Sequence, residues 1–202
     1  MKAGADLTDF RSVAIVAVGS NLTHDGKTPE KTVTAAVSAL AATGFDVRAV
    51  SRFYDTPAFP TGSGPDFVNA CAAYETTWPA DRGLAHLHKA EAQFGRERAK
   101  RWAARTLDLD LIALGDAVVP DRAKVETWMS LPLELQGQAT PSELLLPHPR
   151  MHERAFVLIP MADIAPTWRH PLLGRSVAEM VAALPGYMTE DVSVRPETAT
   201  GR

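Results

Sequence analysis

Apolar positions along the chain change period several times, and each change marks an element. Val13-Ala14-Ile15-Val16-Ala17-Val18 is a short β-branched run stopped by Gly19-Ser20-Asn21, the pattern of a strand entering a turn. Pro29 suits a first helical turn, and Val33, Ala36, Val37 and Leu40 recur at helical spacing up to Gly44. A second strand is expected from about Asp46 to Tyr54, then a Pro- and Gly-rich loop over 55–65 and a third strand over Asp66–Thr76. Pro79 opens a second helix, with Leu84, Leu87, Ala90, Glu91 and Phe94 on related faces, and Gly95 closes it. A fourth strand carries Leu107, Leu109, Leu111 and Ile112.

This order, β-α-β-β-α-β, predicts an α+β fold with a ferredoxin-like core spanning about 13–184: an antiparallel sheet with two helices on one face. Residues 116–146 read as an excursion, with 120–142 an extra hairpin or cover and Leu144–Leu146 a short strand. Ala155–Ala162 and Val177–Leu184 read as helices, the C-terminal additions to that core. The tail over 189–202 has little to bury and is expected to be mobile. With no internal repeat, residues 1–202 read as a single domain.

Composition narrows the function classes. The chain has 202 residues, 46% of them hydrophobic, enough for a real core. A formal charge of −3 argues against a generic nucleic-acid binder. Cys71, the only cysteine, makes no internal disulfide, excludes a Cys-rich metal site and reads as a small buried hydrophobe. No apolar run approaches the roughly 18 residues of a membrane span. The polar start, Met1 to Arg11 with Asp6 and Asp9, is unlike a secretory leader, so the cytoplasm is the expected location.

Chemistry concentrates in the fourth strand. Asp108 and Asp110 lie two residues apart, so they share one face while the leucines take the other. Their Cα atoms are about 7 Å apart, and two like charges so placed repel unless a cation sits between them. The segment Gly95–Arg105 just before them is dense in arginine and lysine. Carboxylates beside a basic segment suit metal ions and a polyanion such as a nucleoside triphosphate. Taken alone, the pair equally fits a solvent-facing strand edge. No glycine loop carries a Walker-type lysine.

Several segments in order resemble the 6-hydroxymethyl-7,8-dihydropterin pyrophosphokinase family. They are Val18-Gly19-Ser20-Asn21-Leu22, Ser51-Arg52-Phe53-Tyr54-Asp55-Thr56-Pro57, Asp66-Phe67-Val68-Asn69-Ala70, and Glu91 with Gly95-Arg96-Glu97-Arg98. Arg101-Trp102, Arg105-Thr106-Leu107-Asp108-Leu109-Asp110 and Leu146-Pro147-His148-Pro149-Arg150-Met151 with Arg154, Ala155 and Phe156 complete the resemblance. It implies a ferredoxin-like core and transfer of the terminal pyrophosphate of ATP to the pterin hydroxymethyl group, releasing AMP, for tetrahydrofolate synthesis. It also implies two Mg²⁺ ions held by Asp108 and Asp110, ATP as cosubstrate, and a monomer with neither nucleic-acid nor membrane partners.

The resemblance further implies roles residue by residue. Arg98, Arg105, Asp108 and Asp110 form the catalytic set. His88, Glu91, Arg98, Arg105, Leu111, His148 and Arg154 contact ATP, with His88 standing where the family often has an amide. Thr56, Pro57, Phe59, Phe67, Asn69, Trp102 and Phe156 meet the pterin, Phe67 and Phe156 as rings on its faces and Trp102 as part of a lid. Without the resemblance, Phe67 and Phe156 would read as core, Glu91 as a solubilising helix residue, and Arg96, Lys100 and Arg101 as solvated surface. His86, His152 and His170 read as structural or exposed. Asn69 can both donate and accept, and strands disfavour asparagine. Asp110 is also a candidate base, although a bound cation would lower its proton affinity.

The chain departs from the family pattern in three places. The Arg98–Trp102 loop is shorter, an arginine expected before the Pro-His motif is missing near Glu143, which leaves the phosphate charge to fewer cations or to Arg150, and 120–142 is longer. Two other readings are weaker. An RNA-binding module of the same fold needs exposed aromatics on the central strands and a basic domain, whereas this chain is acidic and its aspartate pair would repel phosphate without metal. The full set of charged residues argues against a regulatory module that binds a small ligand without catalysis.

Overall fold

Strand β1 (Ser12–Ser20) buries both faces, which is why its β-branched run is nearly continuous. Ala14, Val16 and Val18 enter one core, and Ile15 enters a second on the opposite side. The computed structural model describes residues 12–58, 62, 64–95, 105–132, 135 and 141–196; Phe59, Arg98 and Trp102 lie outside the described residues, as do Arg96, Lys100 and Arg101. Strand β4 (Phe67–Thr76) runs antiparallel along β1, from Ser12 opposite Thr76 to Ser20 opposite Val68. Strand β5 (Asp108–Leu114) pairs with the other side of β1 and forms the edge of the sheet.

The expected second strand is two strands. β2 (Asp46–Val50) pairs with the far half of β4, and β3 (Tyr54–Thr56) pairs with its near end, Phe67–Asn69. Ser51 makes the break. Its N–H donates to Cys71 O at 2.9 Å, but its hydroxyl, not its carbonyl, accepts the Cys71 N–H at 2.9 Å. A side chain thus stands in for a rung of the ladder and turns the strand, an event that hydrophobic alternation does not register.

Helix α1 (Pro29–Ala41) starts at the Thr28 cap and lays Val33, Ala36, Val37 and Leu40 on the sheet. It stops before Gly44, whose φ of +105° and close packing against the Trp78 ring both exclude a side chain. Helix α2 (Ala80–Gln93) lies on the same face, with Leu87 and Ala90 in that core, and ends before Gly95 at φ +74°. The C-terminal additions cover the other face. Helix α4 (Ala155–Ile164) supplies Val157, Leu158 and Met161, and α5 (Val177–Ala182) supplies Val177 and Met180, to a core with Ile15, Cys71, Ala73 and Ile112. The central-strand face that an RNA-binding reading requires is therefore beneath helices and carries small apolar residues at these positions.

Among its described residues the excursion contains a helix. Asp121 caps α3 (Arg122–Met129) by accepting the Lys124 N–H at 2.9 Å, and Val125 is its buried contact. Leu144–Leu146 forms no strand; Leu146 makes a single bridge to Val119, which closes the excursion at its base. The tail is likewise structured for part of its length. After α6 (Gly186–Thr189), β6 (Ser193–Val194) pairs with β3.

His170, in the turn between α4 and α5, is fully buried. Its Nδ1 accepts the N–H groups of Leu172 and Leu173 at 3.2 and 3.3 Å, and burial pushes its pKa down to about 4. A base whose folded pKa is lowered binds its proton more readily when unfolded. Its contribution is whole above about pH 6.5 and is lost as pH falls toward 4. The unfolding free energy from urea titrations is expected to fall between about pH 6.5 and 5 with a slope approaching 1.4 kcal/mol per pH unit from this histidine. A His170→Asn variant should lose that part of the slope; an identical slope in both proteins would contradict the assignment.

Candidate active site

Edge strand β5 sorts its side chains as its period dictates. Leu109 and Leu111 are buried in the core beneath α1 and α2, so Asp108 and Asp110 project from the opposite face. Each carboxylate has an arginine. Arg105 Nη1 donates to Asp108 Oδ2 at 2.5 Å, and Arg154 Nη1 lies 3.7 Å from Asp110 Oδ2. Arg154 stands at the N-terminal end of α4; burial lowers its pKa, and Asp110 opposes that shift. The repulsion within the acid pair is thus offset by cations from two separate parts of the chain.

Registers carry this face across the sheet. Asp108 is opposite Gly19, Gly19 is opposite Asn69, and Asn69 is opposite Tyr54. Antiparallel partners share a face, and strands lie about 5 Å apart, so the acid pair and Asn69 are separated by roughly 10 Å. Gly19 occupies the space between them. A Cβ there would stand 2.7 Å from Asn69 Oδ1 and 3.6 Å from Phe67 Cδ1. The result is a floor without side chains, bordered by carboxylates on one side and an amide on the other. Asn69 donates from Nδ2 to Thr56 Oγ1 at 2.7 Å, which orients the amide. Thr56 is buried and Pro57 exposed beside it. Phe67 is half-buried at the open end of β4, and Phe156 is 37% exposed with the Arg154 guanidinium 5.6 Å from its ring centre. Neither ring is a core residue.

His148 has a fixed protonation state. Its backbone N–H donates to Ile112 O at 2.8 Å, and its Nδ1 accepts the Arg150 N–H at 3.1 Å. Burial, with Arg154 adding to it, pushes the imidazole down to about 3, so the ring is neutral and its proton resides on Nε2. Arg150 is engaged elsewhere, with Nη2 2.6 Å from Glu153 Oε2. Glu143, where a family arginine was expected nearby, is paired with Lys124 at 2.6 Å.

Glu91 is not a surface residue. It is 1% exposed and its Oε1 accepts the Leu109 N–H at 2.8 Å. Since β1 lies on the other side of β5, this bond marks the outer edge of the strand. His88, one turn earlier on α2, is exposed. Leu111 is buried, so only its main chain is available to a ligand, and the two-residue backbone period turns that main chain to the same edge as Leu109. His86 is structural, packed on Phe45 and Trp78, and Cys71 is buried with burial raising its thiol pKa.

Sequence reading missed three contributors. Ser20 Oγ donates to Thr106 O at 2.6 Å. Asn21 accepts the Arg105 N–H on Oδ1 at 2.7 Å, donates its own N–H to Arg105 O at 3.1 Å, and donates from Nδ2 to Pro65 O at 2.9 Å. The turn after β1 therefore ties the approach to β5 to the approach to β4. Asp163 accepts from the Tyr54 hydroxyl at 2.9 Å and from Arg52 at 2.7 Å, which fastens the far end of α4 to β3. The Gly-Ser-Asn motif was visible, but its partners are 44 and 84 residues away.

Residues 15–166 match the family described as 7,8-dihydro-6-hydroxymethylpterin-pyrophosphokinase. The chain belongs to this family. Among curated proteins, the chain is 36% identical over 172 residues to a 2-amino-4-hydroxy-6-hydroxymethyldihydropteridine pyrophosphokinase of Pseudomonas aeruginosa, covering 84% of this chain and 90% of that one. A protein of the same name from Synechocystis sp. is 31% identical over 168 residues, covering 83% and 74%. Among solved structures, an HPPK-DHPS variant of Plasmodium falciparum crystallised with pterin and p-hydroxybenzoate superposes with a TM-score of 0.64 at 11% identity. That match covers 91% of this chain but 47% of the longer one, and it shows the pyrophosphokinase fold.

Asn21→Ala removes two partly buried side-chain hydrogen bonds, one of them the acceptor of the Arg105 N–H. The expected cost is about 2–3 kcal/mol in urea unfolding. A loss below about 0.5 kcal/mol would show that the turn does not join the two segments.

Proposed function

We propose that this family member transfers the terminal pyrophosphate of ATP to 6-hydroxymethyl-7,8-dihydropterin, releasing AMP, as a step of tetrahydrofolate biosynthesis. The observation that carries the reading is the row Asp108–Gly19–Asn69: an acid pair with its own arginines, a bare floor, and an oriented amide. In this reading the substrates lie along that row. Adenine sits at the outer edge of β5 near His88, Glu91 and the Leu111 main chain. The triphosphate lies over Asp108 and Asp110, within reach of Arg105, Arg154 and His148. The pterin rests by Asn69, Thr56 and Pro57, with Phe67 and Phe156 against its faces. Arg98, Trp102 and Phe59 are assigned to the phosphates, the lid and the pterin edge from the resemblance alone.

The donor set suits Mg²⁺. Two carboxylates with phosphate and water oxygens are what this ion takes. Among the described residues no three His, Cys, Asp or Glu side chains converge, as a zinc site of three or four protein ligands would require. Bound at Asp108 and Asp110, two Mg²⁺ ions would neutralise phosphate charge and align the displacement. The protein's own work is positioning. The hydroxymethyl oxygen bonds to the β-phosphorus as the bond from that phosphorus to the oxygen bridging the α-phosphorus breaks; AMP departs with that oxygen, and the hydroxyl proton is released. Asn69 orients the acceptor, neutral His148 donates from Nε2 to a phosphate oxygen, and the arginine forks grip the charge that develops. The reading also takes the protein to act as a cytoplasmic monomer without nucleic acid. Among the described residues no helix is long and apolar enough to cross a membrane.

AMP should form from ATP only when both Mg²⁺ and the pterin are present; AMP formed without the pterin would contradict the proposal. Asp108→Ala and Asp110→Ala should each cut turnover at least about a hundredfold while the far-ultraviolet circular dichroism stays unchanged. Near-normal turnover in either would refute the carboxylate role. Gly19→Ala, which crowds Asn69, should raise KM for the pterin more than KM for ATP; equal effects on both would argue against Asn69 as the pterin contact.

A further inference from the structure

The segment after α6 has no part in the reading above, and it lies beyond residues 15–166, which match the family. It adds β6 to the outer edge of β3, with Val194 opposite Tyr54 and Ser193 opposite Asp55. Arg195 extends the pairing by donating its backbone N–H to Phe53 O at 2.8 Å. Its side chain then meets two carboxylates. One guanidinium nitrogen donates to Asp55 on β3, and Nε lies 3.3 Å from Glu30 Oε2 in the first turn of α1. The Arg195 side chain is 32% exposed, so solvent screens this bridge less than an ordinary surface pair.

Strand β3 needs such support. It is three residues long, and it supplies Thr56, whose hydroxyl orients Asn69. Without β6, so short a strand would pair with β4 alone and would have few hydrogen bonds with which to hold register. We propose that Ser193–Arg195 is a strap that positions β3, and through Thr56 the Asn69 amide, so that it sets affinity for the pterin and leaves the nucleotide end untouched. Strand order separates the two ends: β3 and β5 are divided by β4 and β1, a span of roughly 15 Å. Arg195 is a positioning residue, and the inference rests on the pterin lying at the Asn69 end of the row.

Steady-state kinetics on full-length Arg195→Ala and Arg195→Lys, together with melting curves, test the strap. In Arg195→Ala the KM for 6-hydroxymethyl-7,8-dihydropterin should rise about fivefold, with KM for ATP and kcat changed less than about twofold. Arg195→Lys should recover part of the loss, because one cation still faces both carboxylates. An unchanged pterin KM would overturn the proposal, as would a parallel loss in all constants with a lower melting temperature. Amide hydrogen exchange separates the strap from the functional reading. Exchange at Tyr54–Thr56 should quicken in Arg195→Ala while Asp108–Leu111 keeps its protection, whether or not the unaltered chain turns over pterin. Equal exchange in both proteins would overturn the strap alone, and absence of pterin turnover in the unaltered chain would overturn the function alone.

Discussion

Two carboxylates on one face of an edge strand repel each other, and much of the molecule is arranged around that repulsion. Arg105 answers Asp108 from three residues upstream, and Arg154 answers Asp110 from the start of α4. Neither arginine reaches its place by local structure alone. Arg105 depends on Asn21, which holds both its N–H and its carbonyl from the turn after β1. Arg154 depends on α4 lying across the sheet, held at its far end by Asp163 on Tyr54 and Arg52. The acid pair is therefore presented at fixed positions before any ligand arrives, which lowers the reorganisation that binding a polyanion and its metal ions would need.

The same face gives the site its shape. Small residues fill the rows between the acids and the amide: Gly19 beside Asp108, and Ala17 then Cys71 beside Asp110. At Gly19 a Cβ would stand 2.7 Å from Asn69 Oδ1 and push that amide aside. A flat floor with charge at one end and a donor–acceptor amide at the other suits a substrate pair with a charged tail and a flat heterocycle. The second core, built by α4 and α5, covers that face at Ile15, Cys71, Ala73 and Ile112.

Much of this was legible in the sequence where periodicity is strict. The alternation Asp108–Leu109–Asp110–Leu111 told which face held the acids, and Gly44 and Gly95 followed α1 and α2 as stop residues. What escaped were places where a side chain does the work of a backbone. Ser51 replaces a ladder carbonyl and splits one expected strand into two. Glu91 serves as an acceptor for the edge of β5, so a carboxylate on an amphipathic helix is buried where composition predicts exposure. Asp121 starts a helix inside a segment whose hydrophobic pattern is weak. Partners distant in sequence were equally hidden: Asn21 with Pro65 and Arg105, and Arg195 with Glu30 and Asp55.

Calorimetric titration of a nonhydrolysable ATP analogue, with and without Mg²⁺, into the unaltered chain and into Asp108→Asn/Asp110→Asn tests the central claim most directly. The account predicts tight binding to the unaltered chain that requires Mg²⁺, and loss of that requirement together with most of the affinity in the doubly substituted chain. Binding of equal strength with and without Mg²⁺, or an unchanged Mg²⁺ dependence after both carboxylates are removed, would contradict it.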